Sequence, residues 1–282
     1  MPLPTTIDEV IARLEEIIED CVARGDRLGY FAALYNRVTE AVKAGIASGE
    51  FQDGPRMERL DVIFASRYIA AYDAYHAGEM PSRSWLKAFT AAGNAEHIVL
   101  QHLLIGMNAH IGLDLGIAAA RVAPGSELAG LQTDFDRINT LLAALTPVVE
   151  LEIDQVSPRF DELSKFTPKL DLRLVGFGMD EARAEAWGFA QALAPLSPEQ
   201  QVPLMARRDD EVSLLGDVIL VDGVVERLIR ARESTDVAAT IRVLAAGEFS
   251  ASLPAAAVPP APPTFAFPAP TPAPVPIPAP TP

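Results

Sequence analysis

The chain has 282 residues, 49% of them hydrophobic and 22% charged, with a formal net charge of -15 and a pI near 4.7. That apolar share suffices for a packed core and excludes a wholly disordered chain. The acidic balance excludes binding that depends on Lys and Arg neutralising phosphates, so neither nucleic acid nor an anionic membrane surface is expected as a partner.

Cys21, the single cysteine, rules out an intramolecular disulfide and a cysteine-rich zinc module. It lies in an apolar helical pattern, where a buried, inert thiol is expected. The opening residues lack the basic and apolar regions of a secretory signal. No stretch reaches the ~18 uninterrupted apolar residues of a membrane span. The nearest, 98–120, carries His102, Asn108, His110 and Asp114. A cytoplasmic location is the expectation.

In chain order, Thr6 and Glu9 form a capping-box signature, and Ile7, Val10, Leu14, Ile17 and Ile18 then recur at helical spacing up to Gly25. A second helix should run from Asp26 to about Ser48, with Gly49 as its stop. Asp53-Gly54-Pro55 opens a third, through Phe64, Tyr68, Tyr72 and His76 to Gly78. A short helix follows Pro81-Ser82 and ends at Gly93. Asn94 is expected to cap a long helix to about Val122, closed by Pro124-Gly125.

Another long helix should run from Leu128 to about Val156, bent or interrupted at Pro147. The stretch 158–178 is the least helical, and Lys169–Val175 alternates like a short strand. Asp180 should cap a helix to Ala194. Ser197-Pro198-Glu199 should start one through Ile219 towards Arg232, because Glu226–Arg232 continues the helical period across the valine-rich 218–225. Asp236 caps a last short helix to Gly247. The run Arg207–Glu211 reads as a solvated helix turn.

These patterns predict an all-α fold, a single bundle of eight to ten helices over residues 1–253. Residues 254–282 hold thirteen prolines and no charge. Proline removes backbone donors, so a polyproline-II-like or disordered tail is expected, acting as a spacer or as the ligand of a protein partner.

All four histidines, His76, His97, His102 and His110, fall in one 35-residue window. His110 and Asp114 are i,i+4 neighbours and can reach one ion or share one proton. Asp73 and His76 stand i,i+3 on the third helix, and paired ligands on facing helices are how bundle metal sites are built. The candidate metal ligands are therefore Asp73, His76, His102, His110 and Asp114, holding zinc or iron. Glu96 or Asn108 would be the general base or a supporting polar group. His97 shares another face with Asn108 and Gln101.

Asp73-x-x-His76 is a loose half of a di-iron pattern, but the second half is missing. The His110-x-x-x-Asp114 spacing is similar to that of helical zinc phosphoesterases in this one respect. No Gly-rich phosphate loop, dinucleotide fingerprint or nucleophile elbow is present, so neither nucleotide nor flavin is indicated.

The segment His102-Leu103-Leu104-Ile105-Gly106-Met107-Asn108-Ala109-His110-Ile111-Gly112-Leu113-Asp114-Leu115 resembles the signature of an uncharacterised bacterial and fungal family. That signature reads His-Leu-Leu-Leu-Gly-Met-Asn-Ala-His-Ile-Asn-Leu-Asp-Leu, and Ile105 and Gly112 depart from it. The resemblance is expected to extend over much of residues 27–230. It implies a shared fold and brings no activity.

Three functions fit these residues. The first is a metal-dependent, hydrolase-like enzyme acting on a small molecule. The second is a non-catalytic helical protein whose His–Asp pairs are a buried polar network and whose tail serves a partner. The third is a metal-free enzyme with His110 as base and Asp114 as its orienter.

Overall fold

The computed structural model describes residues 2–157 and 178–246. Side-chain caps set several helix starts. Thr6 accepts from the Glu9 amide and opens α1 (Ile7–Arg24), which Gly25 closes in the left-handed region at φ 62. After α2 (Leu28–Ala47), Asp53 caps α3 (Gly54–His76), with Pro55 in the first turn. Ser82 caps α4 (Arg83–Ala92). Then come α5 (Val99–Val122), α6 (Leu128–Val156) and α7 (Met179–Leu193). A Ser197–Gln200 capping box opens α8 (Pro198–Ile219), followed by α9 (Val224–Arg230) and α10 (Val237–Ala246).

The fold is all-α. Ten helices and no strand occur among the described residues.

At the centre stands α5. It is long and apolar enough to cross a membrane, yet 94% of its most apolar window is buried inside the bundle. A helix that is apolar all round needs neighbours on every side, and α2, α3, α4, α7 and α8 supply them. Close approach is built in through glycine. A Cβ on Gly106 would meet the Phe31 ring at 2.6 Å, and one on Gly116 would meet the Ala186 carbonyl oxygen of α7 at 2.7 Å.

Several local expectations change. Asn94 does not cap α5: the helix starts at Val99, and Gln101 Oε1 instead accepts from the Ile98 amide at 3.0 Å. Asn94 accepts from the Glu96 amide in the preceding turn. The valine-rich stretch is not one continuous helix. The chain leaves the helix after Ile219, and α9 restarts at Val224. α6 runs through Pro147 as one helix.

Arg207–Glu211 is more than a solvated turn. Asp209 accepts from the Arg83 amide, the Ser84 amide and the Ser84 hydroxyl, so α8 caps the start of α4. The strand-like Lys169–Val175, the boundary at 253/254 and the proline-rich tail lie outside the described residues.

Candidate functional site

Within α5 the backbone widens into a π turn over His110–Leu115. Such a turn adds a residue to the helical period and re-aims the side chains it carries. Here it buries His110 and Asp114 together, 2% and 0% exposed. His110 Nδ1 lies 3.4 Å from Asp114 Oδ2.

The same Oδ2 accepts from Trp85 Nε1 of α4 at 2.7 Å, and Oδ1 accepts from Arg67 Nε of α3 at 2.6 Å. Both carboxylate oxygens are therefore satisfied by protein donors, and one residue joins three helices. A buried carboxylate without such partners would be costly.

The electrostatics follow. Burial works to raise the Asp114 carboxyl, but the Arg67 guanidinium and the bonds from His110 and Trp85 override it and hold Asp114 below the usual carboxylate range. For His110 burial dominates, pushing the imidazole down from its ordinary value although Asp114 partly opposes it. His110 is thus neutral near pH 7, with Nδ1 as the donor to Asp114.

Aromatic rings close round His110. The Phe64 ring stacks on it with centroids 3.5 Å apart, and Tyr35 meets it edge-on at 4.4 Å. Phe31, Tyr68 and Trp85 complete the wall at 5.7, 6.3 and 5.9 Å. Inside this wall, among the described residues, His110 Nε2 has no hydrogen-bond partner, and neither do Tyr35 Oη and Asp61 Oδ2. Burial and the neighbouring Glu58 charge raise the Asp61 carboxyl to about 7.

The five candidate ligands do not share one neighbourhood of partners. His110 and Asp114 meet, but Asp73 is ion-paired to Arg13 of α1 at 2.7 Å. His76 is exposed, with Nδ1 3.0 Å from the Tyr72 carbonyl and its ring against Tyr72 and Tyr75. His102 packs against Tyr30 and His97, 5.7 and 6.0 Å away. α3 faces the π turn through Phe64, Arg67 and Tyr68, one to three turns before Asp73 and His76.

Glu96 is exposed in the turn before α5. Asn108 is buried, its Nδ2 donating to the Val212 carbonyl of α8 at 2.8 Å. His97 is bound to Asn94 and Asp222. Among the described residues, no three His, Cys, Asp or Glu side chains form a group that could hold a metal ion.

Arg67 and Trp85 are the members of the site that the sequence reading did not single out. A signal existed for each. Arg67 follows Phe64 and precedes Tyr68 on the inward stripe of α3, where a cation needs a counter-charge. Trp85 is an indole on an apolar face, and a buried indole seeks an acceptor.

No curated protein and no solved structure matches the chain. A sequence profile does, over residues 7–222, which takes in α1 to α8 and the whole His110–Asp114 site. By that match the chain belongs to DUF5995, a family of unknown function.

Proposed function

We propose that this is a non-catalytic helical protein in which Arg67, Trp85, His110 and Asp114 form a structural network that locks α3 and α4 to the π turn of α5. The observation that carries this reading is the complete occupation of the Asp114 carboxylate by Arg67, Trp85 and His110. A buried polar group shared among helices fixes their register more than it adds to stability. The uncharged proline-rich segment 254–282 would tether or space a partner in this reading.

Metal content tests it. Zinc, iron and manganese are expected below stoichiometric levels in purified and in metal-reconstituted protein. A stoichiometric metal that is lost in His110→Ala would reinstate a metal-dependent hydrolase built on Asp73, His76, His102, His110 and Asp114.

A second reading, a metal-free acid–base enzyme, is favoured by one observation. His110 Nε2 is buried and without a hydrogen-bond partner among the described residues, while Asp114 holds the other ring nitrogen. A working base must exchange its proton near neutral pH, so the titration of His110 separates the two readings.

A further inference from the structure

Beside the His110 network, with Phe31, Tyr68 and Trp85 common to both, a cavity of about 20 Å³ opens between α2, α3, α4 and α5. Phe31, Trp85 and Phe89 wall it, Tyr68 and His102 line it, and Arg27 stands with them at the end of α2. Gly106 on α5 also lines it, at a point where Phe31 packs so close that a Cβ would meet its ring at 2.6 Å.

The polar atoms of this lining are unusual. His102 Nε2 and Tyr68 Oη have no hydrogen-bond partner among the described residues, and His102 is only 5% and Tyr68 only 1% exposed. Unpaired buried groups in a folded protein call for an explanation, and a bound molecule is one.

The protonation state says what kind of atom fits. The His102 ring also bonds to the backbone of His97, and burial, with His97 adding to it, pushes the imidazole down to about 3. The ring is neutral, its proton on Nδ1, so Nε2 is an acceptor that needs a donor from the ligand. The Tyr68 hydroxyl can donate to that same ligand atom.

Arg27 asks for the opposite partner. Its Nη1 makes a long bond to the Ala92 carbonyl at 3.4 Å, and Glu233, the carboxylate whose charge it feels, pairs with Arg230 instead. A guanidinium so placed matches a carboxylate in fork geometry. The cavity volume admits a group of one or two non-hydrogen atoms, since a single water needs about 10–15 Å³.

We propose that this cavity is a binding site for a small α-hydroxy carboxylate, with the hydroxyl seated between His102 Nε2 and Tyr68 Oη and the carboxylate held by Arg27 at the rim. The site needs no turnover, and it shares Trp85 with the Asp114 network. Its hydroxyl end excludes simple carboxylates, its cation excludes neutral diols, and its size disfavours branching at the hydroxyl carbon.

Titration of the full chain, labelled with ¹⁵N-histidine, with glycolate tests the assignment. Saturable binding is expected, with the His102 Nε2 resonance moving and the melting temperature rising. Acetate, ethylene glycol and lactate should each bind at least about tenfold more weakly, the size of effect expected when one charge-assisted contact is lost or one methyl does not fit. Tyr68→Phe, which keeps the packing volume, and Arg27→Gln should each weaken glycolate by a similar factor. A linear, non-saturating response would leave the cavity as a hydration site and overturn the proposal. So would equal binding of acetate and glycolate, or unchanged glycolate affinity in both variants.

Discussion

Arg67 Nε meets Asp114 Oδ1 at 2.6 Å, where α3 crosses the π turn of α5. The carboxylate is fully buried and the guanidinium side chain 23% exposed, so water screens the pair only on the arginine side. Removing one partner leaves the other charge without compensation. Asp114→Ala should cost about 3–5 kcal/mol in urea unfolding, the range for breaking a buried pair. The double variant Arg67→Met/Asp114→Leu should recover at least about half of that loss, because apolar replacement of both charges is often neutral. A double variant as unstable as Asp114→Ala would show that the ion pair is not the element that matters.

Asp61 supplies a pH dependence of known sign. Burial and Glu58 raise its folded carboxyl from 3.8 to about 7. A raised carboxyl holds its proton more tightly in the folded state. Its contribution to stability is therefore fully present below about pH 4 and is lost as the pH rises through about 7. Asp61→Asn removes that loss. The variant should match the wild type near pH 4 and exceed it above pH 7.5, by at most on the order of 3–4 kcal/mol at about 1.4 kcal/mol per pKa unit. Parallel unfolding curves at the two pH values check this, and an equal gap at both would refute it.

At Gly116 the backbone of α5 comes close to that of α7. A Cβ there meets the Ala186 carbonyl oxygen at 2.7 Å and the Phe189 ring at 2.8 Å, and backbone cannot turn aside as a side chain can. Alanine normally strengthens a helix relative to glycine, by roughly 1 kcal/mol. Gly116→Ala should instead destabilise by about 1–3 kcal/mol, the usual cost of overpacking. A rise in melting temperature would mean that α7 can move away freely.

Cys21 is buried, with Sγ 3.8 Å from Tyr72 Oη. Burial, with the Asp26 charge adding to it, pushes the thiol up to about 11, so little thiolate exists at pH 8. A disulfide reagent should label native protein at least about a hundredfold more slowly than urea-unfolded protein, since the thiolate is the nucleophile. Equal rates would place the thiol at the surface.

Much of the fold was legible because its signals are local. Thr6, Asp53, Ser82 and Ser197 each cap the helix that their position announces. The His110–Asp114 contact was legible for the same reason, being an i,i+4 pair. Its partners were not. Arg67 lies 47 residues before Asp114 and Trp85 lies 29 before it, and helical spacing does not say which face of one helix meets another.

The π turn hid the register further. Glu96 lies before α5, which starts at Val99 and widens at His110, so a helical period run unbroken from Asn94 does not relate the two residues. Asp73 and His76 were sound as an i,i+3 pair, but they follow the part of α3 that faces the site. The cap from Asp209 to α4 was equally out of reach, because it joins residues about 125 positions apart.

The central claim is that His110 is a neutral, enclosed member of a structural network. Side-chain ¹⁵N and ¹H resonances of His110, followed from pH 5 to pH 8 in the full chain, test it most directly. Burial lowers the imidazole, so its resonances should stay in the neutral, Nδ1-protonated form across the whole range. A sigmoidal His110 titration with its midpoint inside that window would contradict the account and identify His110 as an accessible base.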